Sequence, residues 1–360
     1  MVRHLGGLSF VRRITGLGAA IWLFGLSSLA LACSTVALGR NADLRIVYSY
    51  DQSDSGAGIL LLNPEGAERR SIMGAAGHVW TARFGSVTFN QFGPGMPTAG
   101  QNAEGLVVTL MWNNAVVYGG PPTRPILNEL EFIQLLLDSA ATVEEALTLL
   151  DQVAIVGMVP IHFFMADARG DMAVLTPRAS GIDIYRGREM PILALTNTSY
   201  DDLLDEITVF DGFGGNRPIP HGSESSNPSS LERFAIGATA ARAQSGPVDD
   251  TTAIRLLQDL ANPVTQWQIV FSPRAGEIHY RLIGETRLNL VDVNEADLTC
   301  HDTPMHLHLA APVAPAPLSH ELLTTQLQEV LTFFPETSGI SPEVAPEMAN
   351  EQLAAMMCPE

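Results

Sequence analysis

Lysine is missing from this chain. All twenty basic residues are arginine, set against thirty-nine acids, for a formal net charge of −19. So acidic a body repels phosphate backbones, and no basic block offsets it, which excludes nucleic acid as a partner. Cysteine is scarce, confined to Cys33, Cys300 and Cys358. Beyond residue 32 no stretch reaches the ~18 uninterrupted apolar residues of a spanning helix, so no stable membrane insertion is expected once the N-terminal segment is removed. Internal repeats and heptads are absent. Cys300-His301 with His306 and His308 has metal-like residue types without a standard ligand spacing. A disulfide and exposed polar residues are expected there instead. His78 and His162 fall in strand patterns and read as satisfied core or edge histidines.

What is present begins with residues 1–32. Arg3, His4, Arg12 and Arg13 form a basic start, and residues 14–32 an apolar centre ending Ala30-Leu31-Ala32. Small residues at the last and third-last positions are the pattern a signal peptidase cuts after, so residues 1–32 read as a signal peptide. Its removal takes three arginines and no acid, leaving a net charge of −22 on 328 residues. The expected compartment is the periplasm or the exterior, where thiols are bridged or used. The economical pairing is Cys300 with Cys358, leaving Cys33 free; two unpaired C-terminal thiols are the alternative. Cutting after Ala32 makes Cys33 the first residue, with thiol and free α-amine on one residue, so nucleophile and base arrive together. A lipid-anchored fate is the competing expectation, since acylated cysteines also follow cleavage sites. That signal prefers Leu three residues before the cysteine and a small residue two before it, where this chain has Ala30 and Leu31.

Along the body, residues 33–38 and 44–50 read as a hairpin around the turn-like 39–43, with Cys33 at the free start of its first strand. Residues 58–62, 78–90 and 106–112 are strand candidates. A helix is expected over 125–140, with Pro125 in its first turn, and another over 143–153 after the Thr142–Glu145 capping pattern. Strands follow at 161–166, 172–175, 182–185 and 192–196. A long polar loop spans 211–230, helices 231–242 and 251–261, and a hairpin 267–271 with 277–282. This order predicts a layered α+β chain with mostly antiparallel sheets. Residues 310–317 read as an Ala/Pro linker, 319–334 as an amphipathic helix, and the rest as a polar tail.

Several short strings, in order, carry a resemblance: Cys33 itself, Tyr50-Asp51, Asn63-Pro64-Glu65-Gly66, Phe84-Gly85-Ser86-Val87-Thr88-Phe89-Asn90 and Gly100-Gln101-Asn102-Ala103-Glu104-Gly105-Leu106. Leu195-Thr196-Asn197, Ser230-Leu231-Glu232-Arg233-Phe234 and Thr265-Gln266-Trp267 complete the set. Together they resemble the choloylglycine hydrolase family of N-terminal-nucleophile hydrolases, which holds penicillin V acylases and conjugated bile salt hydrolases. The resemblance covers residues 33 to about 284. It implies a four-layer αββα fold, expected to occupy residues 33–309, with the linker and helical extension read from the residues over 310–360. It also implies hydrolysis of linear non-peptide amides, a small acyl-amide substrate, no metal or organic cofactor, and a homo-oligomer, a tetramer by family habit.

Position by position, the resemblance makes Cys33 the nucleophile, Asp51 the carboxylate orienting its amine and Asn197 the oxyanion-hole amide. Arg233 becomes the cation favouring the thiolate. Trp112 falls where the family often has a polar pocket residue, and Trp112 and Phe89 are candidate substrate contacts. Two positions depart from the pattern. Tyr48 stands where an arginine or lysine usually precedes the aspartate by three residues, and Gln52 stands where an aromatic follows it. Asp43, in the string Gly39-Arg40-Asn41-Ala42-Asp43, is the rival for the Asp51 role. It lies too few residues after Cys33 for two paired strands and reads as the hairpin turn. Penicillin V, N-acyl homoserine lactones and conjugated bile salts all fit the implied chemistry, the first two better than bile salts. A non-catalytic binding relative, anchored through Cys33, is the alternative that Tyr48 and Gln52 favour.

Overall fold

The structure, a computed structural model, describes residues 33–40, 43–52, 58–119, 123–157, 159–220, 227–244, 247–310, 312, 314–333 and 340–359. The expected signal segment lies outside the described residues, as do 221–226 of the long polar loop.

Two antiparallel sheets pack face to face. Strands β1 (Ser34–Leu38) and β2 (Arg45–Asp51) form the expected hairpin, register Ser34 opposite Ser49. They sit centrally in a six-stranded sheet between Ala194–Leu195 on one side and the Thr265–Ser272 and Glu277–Leu282 hairpin on the other. The second sheet has nine strands and includes β3 (Ile59–Asn63), Ser86–Asn90, Pro97–Asn102, Val107–Trp112 and Ile161–Ala166. Between them lies an apolar core to which Ile46 and Tyr48 contribute from one sheet, and Leu62, Phe89 and Phe164 from the other.

The outer faces are covered by helices. Helices α1 (Glu129–Ser139) and α2 (Val143–Thr148) cover the nine-stranded sheet with Phe132, Leu136 and Ala146 against Val108 and Phe163. The six-stranded sheet carries α4 (Ser230–Ala243) and α5 (Asp250–Leu260), with the short α3 (Tyr200–Glu206) alongside. Strand period two explains β3: Leu60 and Leu62 face the central core, while Ile59 and Leu61 face α6 (His320–Phe333) and α7 (Ala345–Ala354). Helices on sheet, sheet on sheet and sheet on helices make the αββα layering expected of the chain.

Three expectations are corrected. The helix foreseen from Pro125 starts at Glu129, because the Asn128 side chain accepts from the backbone of Leu130 and Glu131 and the Glu131 carboxylate accepts from Asn128 N–H. Ile126–Leu127 is instead a short strand beside Ala154–Ile155. The strand expected over 78–90 is two strands in different sheets, Val79–Thr81 and Ser86–Asn90. Between them the Arg83 and Phe84 N–H groups turn aside to the Asp138 carbonyl at the end of α1. The polar tail holds a further helix, α7, closed by a bridge between Cys300 and Cys358.

Candidate active site

Cys33 immediately precedes β1 and is 2 % exposed. The hairpin register brings the end of β2 back to it: Asp51 N–H donates to Cys33 Sγ at 3.5 Å, and the thiol lies 3.7 Å from the Asp51 carbonyl. Asp43, at the hairpin turn, is exposed, so the acid that the fold delivers to the cysteine is Asp51. Its carboxylate is fully buried and held from both sides, Oδ1 by the Ser49 hydroxyl at 2.7 Å and Oδ2 by Asn262 Nδ2 at 2.7 Å. Burial pushes its carboxyl up to about 6, against the opposing pull of Arg233 and of hydrogen bonds from Thr265, Ser49 and Asn262.

Arg233 enters from the first turn of α4. Ser229 caps that helix and Glu232 returns the bond to the Ser229 N–H, which fixes the frame in which Arg233 points inward. Gly237, one turn further on, lets the helix lie directly on β1; a Cβ there would stand 2.6 Å from Val36 Cγ2. Buried at 2 % exposure, the guanidinium donates to the Cys33 carbonyl at 2.8 Å, to the Ser34 hydroxyl at 2.5 Å and to Asn197 Oδ1 at 2.9 Å. Asn197 follows the edge strand Ala194–Leu195 and gives Nδ2 to the Trp112 carbonyl at 3.0 Å. Cys33, Asp51, Asn197 and Arg233 therefore converge from four separate segments.

Around the sulfur, burial comes first. It pushes the Cys33 thiol up to about 12, helped by the Asp51 charge, while the Asp51 N–H donated to the sulfur, the nearby Tyr48 hydroxyl and the Arg233 charge act the other way. The Tyr48 hydroxyl donates to the Leu110 carbonyl at 3.0 Å beside the sulfur, so a neutral phenol occupies the place where a cation was expected. Arg233, assigned from the sequence to favour the thiolate, spends its hydrogen bonds on the cysteine's carbonyl and on Asn197.

Cys33 also lines a cavity of about 190 Å³ whose other walls include Tyr50, Leu110, Trp112, Met96, Ile161 and Met348. Trp112 is thus at the cavity. Phe89 is not: it is fully buried in the central core, edge-on to Phe271 and Tyr280 and near Trp267, and the candidate substrate contact there is withdrawn. Gln52 lines the cavity and accepts from the Tyr50 hydroxyl at 2.6 Å, while Tyr50 stacks on Trp267 at 4.7 Å. His162 is a satisfied core residue, bonded to the Thr196 carbonyl at 2.7 Å and facing Asn113. Sequence reading missed Ser49, Asn262 and Thr265 as holders of Asp51. For Asn262, 211 residues away, the only signal was its nearness to the string Thr265-Gln266-Trp267.

No curated protein matches the chain. Among solved structures it is similar to penicillin V acylase from Agrobacterium tumefaciens, with 23 % identity over 78 % of this chain and 92 % of that one, TM-score 0.67. It is also similar to conjugated bile acid hydrolase from Clostridium perfringens, with 14 % identity over 78 % and 99 % of the two chains, TM-score 0.62. Both share its fold. Residues 33–285 match the family model described as acyl-coenzyme A:6-aminopenicillanic acid acyl-transferase, a match that begins at the cysteine on which the four converging segments close. The chain belongs to that family, within the N-terminal-nucleophile hydrolases.

Proposed function

We propose that the chain is an exported amidase that hydrolyses a linear acyl amide, with Cys33 freed by cleavage after Ala32. The observation that carries it is the convergence of Asp51, Asn197 and Arg233 on Cys33, which lines a largely apolar cavity. The family and both structural neighbours, a penicillin V acylase and a bile acid hydrolase, support acyl-amide chemistry.

In the uncut chain the thiol is protonated at neutral pH, pushed up to about 12 by burial. Cleavage turns the Cys33 peptide nitrogen into an amine next to Asp51. The neutral amine's lone pair takes the thiol proton, and the ammonium so formed stabilises the thiolate that attacks. Asp51, fixed by Ser49 and Asn262, orients that amine. As the acyl carbon becomes tetrahedral, its oxygen gains charge. Asn197 has two amide protons: one is given to the Trp112 carbonyl, and the other serves the oxyanion with backbone N–H groups. Arg233 clamps Asn197 and the cysteine carbonyl, making it a positioning residue. The ammonium protonates the departing amine as the C–N bond breaks. Water then attacks the thioester with the same amine as base, and the acid leaves.

The small cavity, beside the ~300–1,000 Å³ of drug-sized pockets, favours a single-ring or single-chain acyl group, as in phenoxyacetyl amides or N-acyl homoserine lactones, over a steroid. The test is a panel of phenoxyacetyl, long-chain acyl and bile acid amides with the processed protein and its Cys33→Ser variant. Amine release that disappears in the variant is expected; no turnover of any amide at any pH contradicts the proposal. One observation favours the second reading, a non-catalytic binder: Tyr48 rather than a cation beside the sulfur. Intact mass separates the two early, because a diacylglyceryl adduct on Cys33 excludes the enzyme.

A further inference from the structure

The family match ends at residue 285, yet the cavity at Cys33 does not close with residues inside it. Leu331 from α6, Met348 from α7 and Ile340 between them complete the lining. All three are apolar, come from the end of the chain and share the lining with Leu110, Trp112 and Ile161.

Their placement is fixed by several independent contacts. Leu323, Leu327, Leu331, Ala345 and Ala349 bury against Ile59 and Leu61 of β3. Gln326 Nε2 donates to the carbonyls of Asn90 and Gln91 at 3.3 and 3.1 Å, and Gln352 Nε2 to that of Phe92 at 2.8 Å. Those bonds grip the loop that carries Phe92 and Met96, two further lining residues. Gln91 is in turn bonded to the Tyr50 hydroxyl on the cavity wall. Met356 and Met357 pair with Arg69 and Glu68, and Cys358 is bridged to Cys300. The extension is thus anchored on both sides of the cavity it helps to close.

We propose that α6, α7 and Ile340 form the specificity wall of the site: Leu331, Ile340 and Met348 contact the acyl group and set the chain length it accepts. The ligand class is an uncharged, apolar acyl chain, since Leu331, Ile340 and Met348 are all apolar and the polar liners Gln52, Thr98, Asn128 and Glu129 belong to the part of the cavity inside the family match. The proposal rests on the amidase reading for its substrate, though the wall itself is a property of the cavity. Met348, half-buried, is the residue to change, since a methionine shapes space without a rigid framework around it.

The experiment compares wild type, Met348→Ala and Met348→Trp on linear acyl p-nitroanilides from butanoyl to dodecanoyl. In parallel, the matching free carboxylic acids are titrated calorimetrically into the same three proteins carrying Cys33→Ala. The alanine variant moves the best kcat/KM and the tightest binding to longer chains, and the tryptophan variant moves both to shorter ones. Each methylene brought into or out of contact changes kcat/KM and Kd about fourfold. If Met348→Ala fails to fold by thermal melting, Ile340→Ala is expected to shift the profile in the same direction. A chain-length profile identical in the alanine and tryptophan variants, with amides still hydrolysed, overturns the wall and leaves the amidase intact. Shifted binding profiles without any hydrolysis uphold the wall and defeat the amidase reading. Absence of both binding and turnover overturns the wall.

Discussion

The two sides of Cys33 are built on different principles. On one side Asp51, Asn197 and Arg233 are held by named donors and acceptors at 2.5 to 3.0 Å. Every one of those residues lies within the family match. On the other side the cavity is walled mostly by apolar side chains, and part of that wall comes from residues beyond 285. Polar atoms buried away from water lose a full desolvation cost when a partner is removed, whereas apolar surfaces accept exchanges that keep volume. The polar side therefore fixes the reaction, and the apolar side is where a related chain can change its substrate without disturbing that reaction.

Substitution sharpens the contrast, starting with the largest expected effect. Asp51→Asn keeps the shape and removes the charge that orients the amine, so kcat/KM falls by about 10²–10⁴. Asp43→Ala, at the exposed turn, stays near wild type; steady-state kinetics on one acyl amide compares the two. Next comes Arg233→Ala, which strands Asn197 Oδ1, the Ser34 hydroxyl and the Cys33 carbonyl in the interior. Urea unfolding is expected to register a loss of roughly 3–5 kcal/mol, and Arg233→Lys does not restore it, because an ammonium lacks the fork that reaches three acceptors. On the apolar side, Cys358→Ser opens the bridge and costs roughly 2–4 kcal/mol. Hydrogen exchange locates that loss in α6 and α7, with β1 and β2 unchanged.

The smallest effect is one of pH. The Asp51 carboxyl of the uncut chain is raised from 3.8 to about 6 by burial. Its protonated form suits the folded state, so its contribution to stability is complete below about pH 4 and is lost as pH climbs through about 6. The thermal midpoint of uncut Cys33→Ala protein should therefore drop between about pH 4 and 6, and drop less when Asp51→Asn is added. An equal drop in both contradicts the assignment.

Much of the polar side was legible from the sequence because it depends on short-range pattern. The hairpin register brings Asp51, at the end of β2, beside the cysteine, and the Ser229-to-Glu232 cap sets Arg233's direction. What went unread depends on distance in the chain. Asn262 and Thr265 reach Asp51 only because Thr265–Ser272 pairs with β2. Phe89 carries the same alternation whether its strand faces a pocket or a second sheet, and only sheet stacking decides for the core. Helix α7 was hidden because Pro342 and Pro346 read as breakers, although Pro346 sits in a first turn where its missing N–H costs nothing. Met348's part of the cavity wall was hidden with the helix that carries it, whereas Leu331 lies on a helix the sequence did announce.

The central claim is that one residue, exposed by processing, supplies both sulfur and amine. Mass spectrometry of the secreted protein, before and after brief exposure to a reactive acyl amide, tests it most directly. The account predicts a chain that begins at Cys33 with a free amine and gains one acyl mass on that cysteine's sulfur. A different first residue, a lipid-capped end, or an acyl group that never appears on Cys33 would contradict it.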